Sequence, residues 1–137
     1  MKKREPIEHI MSKKVKSVLI TDSLETVAKI FEEEGIHHLP VMNGHEVVGI
    51  ISSSDINRLK YGSFFDAQEG AEEALFQMLS IEKLMTKKPL KVDVNDSIRE
   101  VAEIFANAHF HALPVMDEGK LVGMVSSGDI IKYFIEL

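Results

Sequence analysis

The sequence predicts a mixed α/β fold made of two pseudo-symmetric copies of one β-α-β-β-α unit, each with a short leading helix. Two observations lead to this fold class: an internal repeat at a constant offset, and the same order of apolar patterns in both copies. The chain has 137 residues, of which 45% are hydrophobic and 28% charged. These fractions are ordinary for folded domains, so we expect a buried core.

The repeat is visible when the sequence is shifted by 74 positions. Residues 7–59 then align with residues 81–133 without a gap, and 23 of the 53 pairs are identical. Such self-similarity indicates a duplicated structural unit. We therefore expect one domain over residues 6–60 and a second over residues 80–135, joined by a helical linker over residues 61–79.

Each copy opens with a short helix and a short strand. The leading helix is predicted over residues 7–11 and 81–85. An apolar run follows at residues 15–20 and again at residues 90–94, which is typical of a buried strand.

A longer helix comes next, because capping residues precede apolar residues at helical spacing. Asp22-Ser23 and Asp96-Ser97 are the capping candidates, and Asp22 with Glu25 or Ser97 with Glu100 fits the capping-box pattern. Apolar residues recur at i, i+3, i+4 and i+7, as one face of a helix requires. They are Leu24, Val27, Ala28 and Phe31 in the first copy and Ile98, Val101, Ala102 and Phe105 in the second.

Two strands joined by a turn, and then a last helix, complete each copy. The helix is expected to begin near Ser53 and Ser127, whose hydroxyls can cap it. Turn-forming residues separate two apolar runs, as in a hairpin. The strand, turn and strand are predicted over residues 36–42, 43–45 and 47–51, and over residues 110–116, 117–119 and 121–126.

The linker is predicted to contain a packing helix. Tyr61-Gly62-Ser63 is expected to end the last helix of the first copy, because glycine disfavours helices. Phe64 and Phe65, near this break, are expected in the core or over a ligand cleft or dimer partner. Good helix formers then continue to residue 79. Their apolar stripe consists of Leu75, Met78 and Leu79.

Composition excludes several classes of function. The chain has no cysteine, so disulfides, thiolate zinc sites and cysteine nucleophiles are excluded. Its net charge of −6 argues against nucleic acid or anionic lipid as a partner. No phosphate loop or nucleophile elbow is present, so we expect no enzymatic activity. No apolar run is long enough to span a membrane. The absence of cysteine fits a reducing cytoplasm, where we expect the protein.

Each copy resembles the cystathionine β-synthase (CBS) domain, and the pair resembles a stand-alone Bateman module. The resemblance implies copies packed through their sheets, with clefts between them for adenosine-containing ligands such as AMP, ADP, ATP or S-adenosylmethionine. It also implies a sensory role. The residues that carry it are Met11-Ser12 and Met85-Thr86, His37-His38-Leu39-Pro40-Val41 and His111-Ala112-Leu113-Pro114-Val115, and the blocks 49–56 and 123–130.

The Ser-x-x-Asp pattern at the last strand-to-helix junction suits a nucleotide. Ser52 and Ser126 lie where free backbone N–H groups of the helix start can bind phosphate. Asp55 and Asp129 follow one turn later, where a carboxylate can accept both ribose hydroxyls in charge-assisted hydrogen bonds. The alternative is that these residues only cap the helix.

His37 and His111 are identical between the copies, and the resemblance implies that they contact phosphate. The alternative is a half-buried strand histidine bonded to backbone. His38 stands where many relatives carry arginine, whereas the second copy has Ala112, so phosphate binding is expected to be weaker there. Adjacent strand residues point to opposite faces, so His37 and His38 do not suggest a shared metal ion.

Adenine is expected to lie between apolar walls. The alternative is that the candidate residues are ordinary core residues with no ligand contact. Lys91 departs from the family pattern at the position of Ser17 and could reach phosphate or fill the cleft. The pocket candidates are Val15, Ser17, Ile36 and Pro40 in the first copy and Leu90, Phe110 and Pro114 in the second.

The sequence therefore predicts a regulatory module that binds an adenine nucleotide and modulates a partner protein or its own assembly. No obligatory cofactor and no metal is expected. A homodimer is expected from the family resemblance and from apolar helix faces. The alternative is a structural or protein-interaction module that binds no nucleotide.

Overall fold

The computed structural model describes residues 4–66, 74 and 77–137. The chain divides into two compact units. One is Lys16–Lys88, and the other combines Met1–Val15 with Pro89–Leu137. Most of the predicted linker helix, including Leu75, lies outside the described residues, as do the side chains of Phe64 and Phe65.

The unit Lys16–Lys88 contains a four-stranded sheet in the order β1-β2-β3-β4. Strand β1 runs parallel to β2, and the pairs β2–β3 and β3–β4 are antiparallel. Its elements are β1 Val18–Leu19, α1 Leu24–Glu34, β2 His38–Asn43, β3 Glu46–Ser52, α2 Ser53–Asp66, α3 Ile81–Leu84 and β4 Thr86–Lys87.

The other unit contains a three-stranded sheet in the order β5-β6-β7, again with one parallel and one antiparallel pair. Ser12 adds an isolated antiparallel bridge to Met124 of β7, at the place that β4 occupies beside β3. The elements are a 3-10 helix Ile7–His9, β5 Val92–Asp93, α4 Ile98–Asn107, β6 Ala112–Asp117, β7 Lys120–Ser126 and α5 Ser127–Ile135.

The predicted order of elements is confirmed in both repeats, with differences at the ends. The strands predicted over residues 15–20 and 90–94 are only two residues long, and β1 and β5 lie at the edges of their sheets. Gly35 ends α1 in the left-handed conformation, at φ 64°, which glycine adopts without a Cβ penalty.

The predicted caps are partly confirmed. Ser23 and Ser97 cap α1 and α4 by accepting hydrogen bonds from the backbone of Thr26 and Glu100. The predicted capping box of Asp22 with Glu25 is wrong. The Asp22 carboxylate instead accepts a 2.9 Å hydrogen bond from the backbone N–H of Leu19 and closes the preceding turn.

The predicted helix break at residues 61–63 is also wrong, since α2 continues to Asp66. One glycine costs a helix only about 1 kcal/mol relative to alanine, so a helix can continue through it. In the linker stripe, Leu79 packs against the core of its unit, whereas Met78 is 73% exposed and does not.

Each leading segment packs into the core that the body of the other repeat forms. Ile7 is fully buried in the cluster that includes Val92 and Ile98 of the second repeat. Ile81 and Met85 are buried in the cluster that includes Leu24 of the first repeat. The two repeats thus exchange their leading segments, and each compact unit contains residues from both.

The leading segments of the two repeats, residues 7–12 and 81–86, are called the leaders below. A methionine in each leader lies directly over a glycine of the sheet that the leader joins. A Cβ at Gly49 would lie 2.8 Å from Met85 Cγ and 3.0 Å from the carbonyl oxygen of Thr86. A Cβ at Gly123 would lie 2.5 Å from Met11 Sδ. Real Cβ atoms almost never approach so closely, so the leaders require glycine at both positions.

A polar contact also holds the first leader. The hydroxyl of Tyr133 on α5 donates a 3.3 Å hydrogen bond to Glu5. Partial burial, with the charge and hydrogen bond of Glu5, raises the pKa of Tyr133. The phenol therefore stays protonated and able to donate throughout the physiological range. Among the helices that the structure describes, none is long and apolar enough to cross a membrane.

Candidate functional site

In the first repeat, the Ser-x-x-Asp pattern forms a closed set of hydrogen bonds at the start of α2. The backbone N–H and hydroxyl of Ser52 donate to Asp55 Oδ2 over 2.9 and 3.0 Å. The N–H of Asp55 donates back to Ser52 Oγ over 3.3 Å. Arg58 pairs with the other carboxylate oxygen, Oδ1. The half-buried Asp55 therefore has partners on both oxygens.

In the second repeat, the same pattern caps α5 but leaves more of the carboxylate available. The N–H of Ser126 donates to Asp129 Oδ2 over 2.8 Å, and the N–H of Asp129 donates to Ser126 Oγ over 3.1 Å. Lys132 takes the place of Arg58, and no ion pair to Asp129 occurs within the described part of the chain. The two aspartates thus differ in what a ligand must displace.

The two repeated histidines lie immediately before strands β2 and β6 and not, as predicted, within them. Both are exposed, so the alternative of a half-buried strand histidine is wrong for both. The carbonyl oxygen of His37 accepts from Ser53 N over 2.9 Å, and that of His111 accepts from Ser127 N over 3.0 Å. His37 Nδ1 also lies 3.3 Å from Ser53 Oγ. The ring of His37 is thereby held beside the start of α2, and the backbone of His111 lies beside the start of α5.

A cavity of about 270 Å³ lies between α1 and α2 in the first repeat. Four of its eight lining residues are apolar and four are polar. It brings Ile36 and His37 together with Ser53, next to the Ser52–Asp55 set. The lining residues are Ala28, Phe31, Glu32, Ile36, His37, Ser53, Ile56 and Asn57.

The predicted adenine-pocket residues differ in exposure. Pro40 and Pro114 are buried at the centre of their sheets, opposite Ile50 and Met124. Ser17 and Leu90 are exposed, and Val15, Ile36 and Phe110 are half-buried. Of the first-repeat set, Val15 falls in the compact unit that contains the second repeat, whereas Ser17, Ile36 and Pro40 fall in the other.

Three residues at this site were missed by the sequence reasoning: Arg58, Glu32 and Asn57. Arg58 carried a usable signal, because an arginine three residues after Asp55 lies on the same helix face. Glu32 and Asn57 are distant in sequence and meet only because α1 and α2 pack side by side. Within the described residues, no group of histidine, aspartate and glutamate could hold a metal ion.

Comparison with known proteins identifies the family. The model of the CBS domain family matches residues 7–62 and 81–136. Protein MJ1225 of Methanocaldococcus jannaschii is 28% identical over 115 residues, which are 82% of this chain and 41% of that protein. Inosine-5′-monophosphate dehydrogenase of Korarchaeum cryptofilum is 30% identical over 124 residues, 90% of this chain and 23% of the enzyme. The chain thus spans less than half the length of these relatives.

Solved structures give the same result. The crystal structure of MJ1225 matches with a TM-score of 0.81 at 27% identity. The match covers 98% of this chain and 49% of the MJ1225 chain. The CBS domain pair of protein MJ0100, in complex with 5′-methylthioadenosine and S-adenosylmethionine, has a TM-score of 0.75 at 27% identity, with 96% of both chains covered. The family match extends over both repeats, and the chain belongs to the CBS domain family.

Proposed function

We propose that the chain is a regulatory CBS domain pair that binds an adenosine-containing ligand and modulates a partner protein or its own assembly. The candidate ligands are AMP, ADP, ATP and S-adenosylmethionine. Residues proposed for phosphate are Ser52, Ser126, His37 and His111, with Asp55 and Asp129 proposed for ribose. The proposal includes no catalytic step, because the chain's role is to sense the ligand.

One observation carries the proposal. A solved CBS pair that this chain matches over 96% of both lengths was crystallised with S-adenosylmethionine and 5′-methylthioadenosine. Two Ser-x-x-Asp sets in this chain, one at the start of α2 and one at the start of α5, support a ligand of the same class. The N-terminal ends of helices favour anions such as phosphate.

Regulation requires that the ligand bind two states of the protein with different affinity. The partner that reads the change is an unidentified protein or a second copy of this chain. The relatives include a dehydrogenase of which this chain matches only 23%, so the regulated activity can reside in a separate protein or domain.

A structural module without a nucleotide is the second candidate, and the first Ser-x-x-Asp set favours it. Ser52 and Asp55 satisfy each other, and Arg58 occupies the remaining carboxylate oxygen. These residues stabilise the fold whether or not a ligand binds. Ligand binding therefore has to be shown by measurement on this protein.

Ligand binding should raise the melting temperature. A ligand at about a hundred times its dissociation constant stabilises the native state by roughly 2.7 kcal/mol, which for a chain of this size corresponds to a shift on the order of 5 °C. Thermal unfolding should be recorded with AMP, ADP, ATP, S-adenosylmethionine and 5′-methylthioadenosine at millimolar concentration. Inosine and free ribose serve as controls. A melting temperature that none of the five adenosyl ligands changes would favour the structural module.

The protein should be a homodimer in solution. Ile131, Phe134 and Ile135 of α5 are 59%, 47% and 78% exposed, and the first repeat has polar or aromatic residues at the matching positions 57, 60 and 61. A patch of large exposed apolar side chains is typical of an interface, and a closed two-fold pair is the commonest assembly. Light scattering at tens of micromolar should give twice the chain mass of 15.4 kDa. A particle of 15.4 kDa would contradict the dimer.

A further inference from the structure

The cavity between α1 and α2 is lined by one carboxylate, that of Glu32. Three glutamates end α1, at positions 32 to 34. Glu33 lies 4.0 Å from Lys29 and Glu34 lies 3.7 Å from Lys16. Glu32 is the one of the three that lines the cavity, and no cation of the described residues pairs with it.

The helix itself adds to this negative charge. The C-terminal end of a helix carries a partial negative charge from its unpaired carbonyl groups. The last turn of α1 contains no basic residue. Glu32 and the end of α1 therefore place negative potential beside His37, the residue proposed for phosphate.

The second repeat provides an internal comparison. Five of the eight lining residues are identical there: Ala102, Phe105, His111, Ser127 and Ile130 replace Ala28, Phe31, His37, Ser53 and Ile56. The charged position differs, because Ala106 stands in place of Glu32. The fold of a repeat therefore does not require a carboxylate at this position.

We infer that Glu32 sets the charge preference of the first repeat by disfavouring phosphate-bearing ligands at His37, the more strongly the more phosphates they carry. This inference rests on the proposed function and names the class of ligand for that site. A neutral or cationic adenosine derivative meets no repulsion from Glu32. A polyphosphate does, and Lys16 and Lys29 already pair with Glu34 and Glu33. The second repeat, with Ala106, carries no such restriction.

Calorimetry on Glu32→Gln tests the inference with four ligands: neutral 5′-methylthioadenosine, cationic S-adenosylmethionine, and anionic AMP and ATP. Glu33→Gln is the matched control, because it makes the same change on the same helix outside the cavity. Two charges within a Debye length still interact appreciably. We expect Glu32→Gln to bind AMP and ATP roughly three to ten times more tightly, with the larger gain for ATP. Affinity for 5′-methylthioadenosine should not change.

Each other result has a defined meaning. Equal effects of Glu32→Gln and Glu33→Gln, or an unchanged preference among the four ligands, would overturn the role of Glu32 and leave the proposed function intact. If neither the wild type nor Glu32→Gln binds any of the four, the proposed function is wrong and this inference with it. Glu32→Ala, which copies Ala106 of the second repeat, should reproduce the effect of Glu32→Gln.

Discussion

Gly49→Ala or Gly123→Ala should lower the free energy of unfolding by about 1–3 kcal/mol, the usual cost of overpacking a core. A methyl group at Gly49 would overlap Met85, and one at Gly123 would lie 2.5 Å from Met11 Sδ and 2.9 Å from the carbonyl oxygen of Ser12. Because the added methyl group would also approach a backbone oxygen, a rotation of the methionine side chain alone would not relieve the overlap. Urea unfolding followed by circular dichroism measures the change.

Gly128→Ala is the matched control for this prediction. Its Cβ would meet only Ser126 Oγ, at an ordinary 3.5 Å, and Gly128 lies within α5. Replacing a helical glycine by alanine stabilises by about 0.5–1 kcal/mol, so the sign should reverse. Met11→Ala combined with Gly123→Ala should recover part of the lost stability, because the effects of substitutions at contacting residues do not simply add. Wild-type stability in Gly49→Ala and Gly123→Ala would show that the leaders do not pack as described.

Asp55→Ala and Asp129→Ala should each weaken ligand binding by roughly 10- to 150-fold, which corresponds to the 1.5–3 kcal/mol of a hydrogen bond to a charged group. Each substitution removes the carboxylate proposed for ribose. The sequence favours the larger effect at Asp55, because the first repeat retains Ser17 and His38. The structure favours Asp129, because Ser52 and Arg58 already occupy both oxygens of Asp55. Calorimetry on each variant measures affinity and stoichiometry. A larger loss at Asp129 would make the second repeat the main ligand site.

The aspartates also cap helices, so stability must be separated from binding. Asp55 accepts hydrogen bonds from the N–H and hydroxyl of Ser52, and loss of a cap costs about 1 kcal/mol. Asp55→Asn keeps an acceptor oxygen for the cap and removes the charge. Reduced affinity with nearly wild-type stability in Asp55→Asn supports the ribose role. Unchanged affinity in Asp55→Ala, with the fold intact, would show that this residue is only a cap.

The order of helices and strands could be predicted because it depends on local hydrophobic periodicity, and the repeat shows the same periodicity twice. The docking of the leaders could not. Ile7 and Ile81 are the same residue at the same position of the repeat, so either could fill either core as far as the sequence is concerned. Only long-range packing decides, and it places Ile7 in the second core and Ile81 in the first.

The site was predictable to the same extent. Ser52 and Asp55 are three residues apart, and the helix start brings them together as expected. Local spacing alone does not predict that Glu32 on α1 and Asn57 on α2 would line one cavity, since 25 positions separate them. The predicted helix end at residues 61–63 is wrong because a single glycine costs a helix only about 1 kcal/mol, and α2 continues through it to Asp66.

Titration calorimetry of S-adenosylmethionine and of AMP into the wild type and the double variant Asp55→Asn with Asp129→Asn tests the central proposal most directly. The wild type should give saturable heats with at least one of the two ligands. The double variant, with a wild-type circular dichroism spectrum, should lose that binding or require at least tenfold more ligand. Saturable binding of equal affinity in both proteins would contradict the assignment of the two aspartates. The absence of binding to the wild type would contradict a sensor of AMP or S-adenosylmethionine.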